Sequence, residues 1–151
     1  MSISATINPR IVEALYCEAL VLSDEVRNAF TLSGSIERDE DLARIALSSE
    51  GLRTTTRMMH AIAWLLNHRA FFTGEISELQ LRRHGRLSPD MHQSDPAQTA
   101  LLDLATGQLV EATRRFYARL LRLDQAWRLS TPLAPSAIER LRERIEGRLA
   151  S

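Results

Sequence analysis

The chain has 151 residues, of which 44% are hydrophobic and 25% are charged, and its formal net charge is zero. This composition is that of a soluble globular protein, and the length favours one domain with a sizeable core. The zero net charge argues against a protein built mainly to neutralise nucleic-acid phosphates or to coat an anionic membrane. The single cysteine, Cys17, excludes an internal disulfide, and we expect it to be a small core residue of a helix.

The first predicted helix runs from Pro9 to about Leu32. Asn8 is a good N-cap, and proline fits the first helical position. Apolar residues recur at alternating spacings of three and four, which predicts one continuous buried stripe. That stripe consists of Val12, Leu15, Ala19, Leu22, Val26 and Ala29. An acidic loop from Ser35 to Asp41 follows, and acids there suit the first turn of the next helix.

The second predicted helix runs from about Asp39 to Phe72 and is ended by Thr73 and Gly74. A spacing of three and four is kept over four repeats, which is typical of a bundle or coiled-coil seam. The seam consists of Ile45, Ser49, Leu52, Thr56, Met59, Ala63, Leu66 and Ala70. Gly51 lies inside this pattern and costs up to about 1 kcal/mol relative to alanine, so it indicates a bend or a close helix contact.

The third predicted helix runs from Pro96 to about Leu129, after an irregular connection from Glu75 to Gln93 that Gly85 and Pro89 interrupt. Its predicted seam consists of Leu102, Ala105, Leu109, Ala112, Phe116, Leu120, Leu123 and either Ala126 or Trp127. A fourth piece begins at Ser136 and carries a narrow apolar stripe of Ile138, Leu141, Ile145 and Leu149. A short helix of this kind is marginal alone, so it either docks on the bundle or orders on a partner.

Three long helices without strand alternation predict an all-α fold, an antiparallel three-helix bundle with a short C-terminal amphipathic helix or tail. Residues 1–130 form the predicted bundle domain, and residues 131–151 form the tail. The first ten residues lack the charged and apolar regions of a secretion signal, and no apolar run reaches the length that spans a bilayer. We therefore expect a cytoplasmic protein that does not associate with membranes.

A search for catalytic or metal-binding patterns finds none. The four histidines, His60, His68, His84 and His92, are never three or four residues apart, as a helical metal site requires. The chain has no Gly-x-Ser-x-Gly elbow and no glycine-rich phosphate loop, and the predicted seams contain no acids. We expect no enzyme activity, no cofactor and no metal.

One polar strip of the second helix is a candidate partner-binding site. On a helical wheel, Arg53, Arg57, His60, Trp64 and His68 fall within one quarter of the circumference. Such a strip can bind an acidic or aromatic partner through cation–π contacts and charge-assisted hydrogen bonds. The alternative is a helix edge on which arginine stems and one tryptophan cover the core.

Three further sets of residues are candidates for interactions. The apolar arc of the second helix predicts a dimer interface at Met58, Ile62 and Leu65, although these residues could instead face the other helices of one bundle. The tail offers Ile138, Leu141 and Ile145. Two basic clusters suit either solvated faces and intersubunit ion pairs or nucleic-acid contact. They are Arg82, Arg83, His84 and Arg86 near the connection and Arg114, Arg115, Arg119 and Arg122 on the third helix, of which the last three share a face.

The central run LRTTTRMMHAIAWLLNHRA resembles the signature of the regulator of CtrA degradation (RcdA) family of alphaproteobacteria. The following GEIS and the later RFYARLLRLD also resemble that family. The absence of lysine suits a bacterium with a GC-rich genome.

The resemblance implies a non-enzymatic helical bundle that forms a homodimer. It further implies an adaptor that delivers cell-cycle regulators to the ClpXP protease. The implied protein partners are the protease unfoldase, co-adaptors and response regulators. The alternative function is a nucleic-acid-associated helical protein that uses the arginine-rich helix faces, which the zero net charge disfavours.

Overall fold

The computed structural model describes residues 7–33, 41–130 and 137–150, and these residues form helices and connections without a strand. The all-α prediction is confirmed. The described residues contain six α-helices, with a 3₁₀ turn at Pro89–His92 between the third and the fourth. They are α1 (Pro9–Ser33), α2 (Asp41–Phe72), α3 (Glu78–His84), α4 (Pro96–Thr99), α5 (Leu104–Leu129) and α6 (Ala137–Leu149).

Helix α1 forms as its sequence predicts. The backbone N–H of Ile11 donates to the Asn8 side chain at 3.0 Å, which caps the helix. The predicted stripe is the buried face, with Val12, Ala19 and Val26 at most 2% exposed. Cys17 lies outside this stripe and is exposed, so the expectation of a core cysteine is wrong.

Helices α1 and α2 are antiparallel and in close contact. Glu13 near the start of α1 pairs with Arg69 near the end of α2 at 2.8 Å. At the other end of the pair, a Cβ added to Gly51 would lie 2.9 Å from Cδ1 of Phe30. Gly51 therefore allows a close helix contact, and α2 continues through it without interruption.

The segment between α2 and α5, which we call the connector (residues 73–103), returns along α2. Gly74 adopts a φ of 80°, which glycine favours, and this ends α2. Arg57 then contacts Thr113 and Trp64 contacts Asp124, so sequence number increases in the same sense along α2 and α5. Helix α5 therefore runs in the same direction as α2, so the predicted antiparallel order holds between α1 and α2 but not between α2 and α5.

The third predicted helix is divided in two. Helix α4 ends after one turn, and Asp103 then caps α5 by accepting from the backbone N–H of Thr106 at 3.4 Å. Phe116 and Leu120 of the predicted seam are buried, whereas Ala105 and Ala126 are exposed. The buried face of α5 also contains polar residues that the sequence prediction omitted, among them Thr106, Thr113 and Asp124.

The predicted seam of α2 is wrong as an intramolecular contact. Leu52 is 72% exposed and Met59 is 65% exposed, although both were expected in the core. The core is formed instead by the opposite side of α2 together with α1 and α5. Its α2 members are Met58, Ala61, Trp64 and Leu65.

Several predictions lie outside the described residues. These are the acidic loop before Asp41, the start of the fourth predicted piece at Ser136, and the side chain of Ile138. Helix α6 begins at Ala137, and every side chain described from residue 140 onward is exposed. Among the described residues, no helix combines the length and the apolar character needed to cross a membrane.

Candidate functional site

The inner face of α2, directed at α5 and the connector, is polar at several fully buried positions. Arg57 has no exposed surface, and its three guanidinium nitrogens donate to the carbonyl oxygen of Met91 at 2.7 Å, to Thr113 Oγ1 at 2.9 Å and to the carbonyl oxygen of Gln93 at 3.0 Å. Burial lowers the pKa of Arg57 to about 10, and the nearby Arg114 adds to this effect. Arg57 therefore remains charged at neutral pH and fixes the connector between α2 and α5.

A second buried contact joins α2 to the end of α5. The indole Nε1 of Trp64 donates to Asp124 Oδ1 at 3.0 Å, and Arg128 Nε donates to Asp124 Oδ2 at 3.1 Å. Arg128 also donates to the carbonyl oxygen of Arg82 at 2.9 Å. The buried carboxylate is thus paired and hydrogen-bonded, as a buried charge requires. This chain of contacts ties α3 to both long helices.

His68 lies between two tryptophans at the end of this inner face. Its ring centroid is 4.2 Å from that of Trp64 and 5.3 Å from that of Trp127, and the residue is 1% exposed. Burial lowers the pKa of His68 to about 4, an effect that Asp124 opposes and Arg128 reinforces. His68 is therefore a neutral aromatic core residue at physiological pH.

These positions correct the predicted partner-binding strip of α2. Arg57, Trp64 and His68 are core residues, so a partner of the folded chain cannot reach them. Arg53 is half-buried and pairs with Glu50 at 2.6 Å, whereas His60 is exposed. Three of the five residues of the strip therefore belong to the core, while Arg53 lies at its edge and His60 faces solvent.

Each basic cluster has at least one arginine that pairs within the chain, while other members are exposed. Arg82 lies 4.5 Å from the ring centroid of Trp127 and pairs with Glu78 at 3.1 Å, while Arg83 and Arg86 are exposed. On α5, Arg119 pairs with Glu18 at 2.9 Å. The remaining exposed members of that cluster are Arg115 and Arg122. The cluster on α5 is therefore smaller as a cationic surface than its sequence indicates.

The three predicted dimer residues divide between the core and its edge. Met58 is 2% exposed and Leu65 has no exposed surface, so both pack inside the single chain. Ile62 is half-buried and lines the groove described below. Met58 and Leu65 therefore face the other helices of the same chain, as the alternative interpretation held. The exposed apolar surface of α2 lies on other residues.

That surface is the outer stripe of α2, which faces away from α1, α5 and the connector. Its large members are 43–72% exposed. They are Leu42, Ile45, Leu52, Met59 and Leu66, with the small residues Ser49, Thr56, Ala63 and Ala70 between them. Contiguous exposed apolar patches of this kind mark interaction sites on soluble proteins.

An apolar groove borders the outer stripe on the side of α1. It has a volume of about 620 Å³ and is lined from α1 by Leu20, Val26 and Phe30. Met58, Met59 and Ile62 line it from α2. A smaller groove continues past Phe30 to Leu47, Gly51 and Leu52.

Helix α6 is the second exposed apolar element. Leu141 is 60% exposed, Ile145 is 53% exposed and Leu149 is 81% exposed. These residues repeat every four positions and form one face of the helix. The outer stripe and α6 are separate surfaces on separate elements.

Within residues 7–33, 41–130 and 137–150, no group of three or more His, Cys, Asp or Glu residues could hold a metal ion. Arg57, Trp64 and Asp124 are hydrogen-bonded within the chain, whereas the two ring nitrogens of the buried His68 have no hydrogen-bond partner among the described residues. Among the described residues, large exposed apolar side chains are most numerous on α2 and α6.

Comparison with known proteins gives one match. Residues 3–149 match the family described as "Protein of unknown function (DUF1465)". The chain belongs to this family. The match covers all six helices of this DUF1465 protein, including α6. No curated protein and no solved structure matches the chain.

Sequence analysis missed Thr113 and Asp124 as members of the inner face. The signal was present, because both lie on the same side of α5 as Phe116 and Leu120 at helical spacing. Their partners are 56 and 60 residues away in the chain. Only the tertiary arrangement shows that these polar residues are buried.

Proposed function

We propose that this DUF1465 protein is a non-enzymatic adaptor or scaffold that binds other proteins. The observation that carries the proposal is the presence of two separate exposed apolar surfaces, the outer stripe of α2 and the face of α6. An adaptor must hold at least two proteins at once, and separate surfaces on a rigid core and on a terminal helix allow this.

Helix α6 suits recognition by a groove on another protein. It has 13 residues, and its apolar residues Leu141 and Ile145 are one helical turn apart. Arg144 and Arg148 border the apolar face on one side and Arg142 borders it on the other. Amphipathic helices commonly bind partner grooves through apolar anchors at such spacing, and an isolated helix of this length gains stability from the partner.

The resemblance of the central run to the RcdA family suggests which type of adaptor the protein is. We propose that the protein acts in the cytoplasm and presents cell-cycle regulators to the ClpXP protease, with the unfoldase, co-adaptors and response regulators as partners. The resemblance lies partly in Arg57 and Trp64, which are core residues here. The resemblance therefore supports a fold shared with the RcdA family. A shared function is inferred from that shared fold.

A reconstituted degradation assay tests the proposal. The protein is added to purified ClpXP, a response-regulator substrate and its co-adaptors, and the rate of substrate loss is measured. We expect the protein to accelerate degradation and the double substitution Leu141→Glu and Ile145→Glu to abolish the acceleration. The matched control, Arg142→Ala and Glu143→Ala, changes α6 outside the apolar face and should remain active.

Two outcomes would count against an adaptor role. Equal acceleration by the Leu141 and Ile145 variant would show that α6 is not a binding surface. Binding to nucleic acid that weakens steeply with salt, without binding to any of the proteins, would favour the alternative function. Substitution of Arg115 and Arg122 by glutamine would then reduce that binding.

A further inference from the structure

We propose that a small cleft between α4 and the start of α5 binds a free α-amino acid with a small aliphatic side chain. Arg114 holds the carboxylate of this ligand, and Glu111 holds its ammonium group. The inference is independent of the adaptor role, because neither the outer stripe of α2 nor α6 lines the cleft. It rests on the shape of the cleft, on the charges at its edge and on a glycine of α5.

The cleft has the size and the lining of a small-molecule site. Its volume is about 330 Å³. Pockets for small molecules range from roughly 300 to 1,000 Å³, so a site at the lower end accepts only a small ligand. Apolar walls are provided by Pro96, Ala100 and the buried Val110. The polar residues of the lining are Ser94, Thr99, Glu111 and Arg114.

Two arginines fix the segment that leads into the cleft. Arg57 donates to the carbonyl oxygens of Met91 and Gln93, at 2.7 and 3.0 Å. Arg114 Nε donates to the carbonyl oxygen of His92 between them at 3.0 Å. Three successive carbonyl groups are thus held by two guanidinium groups. The wall formed by this segment and α4 is therefore positioned before any ligand binds.

Arg114 and Glu111 present opposite charges side by side. Arg114 Nη1 donates to Glu111 Oε2 at 2.8 Å, whereas Arg114 Nη2 and Glu111 Oε1 make no hydrogen bond within the described chain. The two side chains are 25% and 50% exposed, so both remaining atoms are accessible to a ligand. A ligand that pairs with both atoms carries an anionic and a cationic group a few ångström apart. The carboxylate and ammonium groups of an α-amino acid meet this requirement.

The charges behind the cleft exclude simpler ligands. Arg57 has no exposed surface, and its lowered pKa, caused first by burial and then by Arg114, shows that the two guanidinium groups are close. Burial, Arg114 and Arg57 also lower the pKa of His92. This positive potential disfavours a simple amine. The Glu111 carboxylate disfavours a simple anion, so a zwitterion matches the site better than either.

Gly107 lines the cleft and leaves it open. Glycine inside a helix is less favourable than alanine, so it usually has a packing reason. An added Cβ would lie 2.9 Å from Phe30 at Gly51 and 2.6 Å from the carbonyl oxygen of Leu81 at Gly85. At Gly107 an added Cβ would meet no neighbouring atom within 4 Å. Packing within the described chain does not account for this glycine, whereas a ligand in the open space does.

The remaining lining selects the rest of the ligand. The Thr99 hydroxyl donates to the carbonyl oxygen of Pro96 at 3.1 Å, so towards a ligand it accepts, as an ammonium group requires. The Ser94 hydroxyl can donate to the carboxylate. The apolar walls at Ala100 and Val110 suit an aliphatic side chain, and the volume limits that side chain to a few carbons.

The first experiment is isothermal titration calorimetry of the full chain with L-alanine, L-valine and L-leucine. We expect at least one of them to bind with a Kd on the order of 10 μM to 1 mM, as suits so small a ligand. Isovalerate is L-valine without the ammonium group, and isobutylamine is L-valine without the carboxylate. Both should bind at least about tenfold more weakly than L-valine, because each leaves one charge of the site unpaired.

Two results of this titration would overturn the proposal. One is that none of the three amino acids binds with a Kd below about 10 mM. The other is that isovalerate or isobutylamine binds as tightly as L-valine.

The second experiment closes the cleft. Gly107→Leu places a side chain in the open space, so we expect unchanged helical circular dichroism and no amino-acid binding. Gly107→Ala adds a single carbon and should weaken binding severalfold, which tests the site even if the leucine variant fails to fold. Gly147→Leu is the matched control, since a Cβ added in α6 also meets no atom within 4 Å, and it should bind as the wild type does.

Glu111→Gln tests the pairing, because it keeps the size of the side chain and removes its charge. The preference for L-valine over isovalerate should fall at least about fivefold in this variant. Wild-type affinity in both Gly107 variants would show that the amino acid binds elsewhere, and an unchanged preference in Glu111→Gln would show that Glu111 does not hold the ammonium group. Either result would overturn the proposed site.

Discussion

Helix α2 buries polar residues on one side and exposes large apolar residues on the other, which is the opposite of the usual arrangement in a soluble protein. The inner face carries Arg57, Trp64 and His68 and is almost completely buried. The outer stripe carries Leu52 and Met59 and is mostly exposed. Both faces belong to one 32-residue helix, so differences in helix propensity do not explain the contrast.

The contrast arises from the partners that the fold supplies. On the inner face, Arg57 has three acceptors, and Trp64 has the Asp124 carboxylate. Burying a polar group with such partners costs little, and the stems and rings around it add apolar contact. On the outer stripe, residues of α1 border Met59 and Leu52 but leave both mostly exposed. Burial along α2 therefore follows the partners that the described chain provides, and the outer stripe remains exposed.

The largest effect is expected from Arg57→Met. This substitution removes three hydrogen bonds and leaves the carbonyl oxygens of Met91 and Gln93 without their donor. We expect a loss of about 3 kcal/mol in the free energy of unfolding, measured by urea denaturation. Hydrogen exchange should also accelerate in residues 89–93, because Arg57 fixes this part of the connector.

Arg83→Ala serves as the control, since Arg83 is exposed on α3. It should change the free energy of unfolding by less than about 0.5 kcal/mol. If Arg57→Met were as stable as Arg83→Ala, the inner face would not be held by this guanidinium.

Two adjacent leucines compare the two sides of α2 directly. Leu65 has no exposed surface, whereas Leu66 belongs to the outer stripe and is 43% exposed. Leu65→Ala should cost about 2–5 kcal/mol, because it leaves a cavity in the core. Leu66→Ala should cost less than about 1 kcal/mol. Similar losses for the two variants would contradict the assignment of inner and outer sides.

His68 makes stability depend on pH. Its pKa is about 4 in the folded chain and 6.5 in a model peptide, so between these values the unfolded chain binds a proton that the folded chain does not. Stability is therefore lost as the pH falls from about 6.5 to 4, by up to about 3 kcal/mol for this group. Urea denaturation at several pH values measures this loss.

The variant His68→Leu should be less sensitive to pH over the same range. His84→Gln changes an exposed histidine and should keep the wild-type pH dependence. An identical slope in His68→Leu and the wild type would show that His68 is not the group responsible.

The sequence predicts the helices better than their orientation. The stripe of α1, the C-terminal end of α2 and the close contact at Gly51 follow from local patterns, and the structure confirms them. The single helix predicted from Pro96 is wrong, because Asp103 starts a new helix after an irregular turn. Asp103 is a residue type that commonly caps a helix, but the apolar spacing continues across it and predicted one uninterrupted helix.

The inner face of α2 could not be predicted for a different reason. A heptad seam has the same spacing whether its partner belongs to the same chain or to another copy, so the pattern alone does not assign it to the core. The partners of Arg57 and Trp64 lie 34–60 residues away. Periodicity contains no information about such distant acceptors, and it therefore places polar residues on the surface.

The two adjacent methionines of α2 provide the most direct test of the central claim, that the polar face is inside and the apolar stripe outside. Met58 is 2% exposed and Met59 is 65% exposed. Dilute protein is treated with hydrogen peroxide, and sulfoxide formation at each residue is followed by fragment-ion mass spectrometry. The account predicts that Met59 oxidises at least about tenfold faster than Met58, since oxidation follows exposure. Oxidation of Met58 at an equal or higher rate would contradict it.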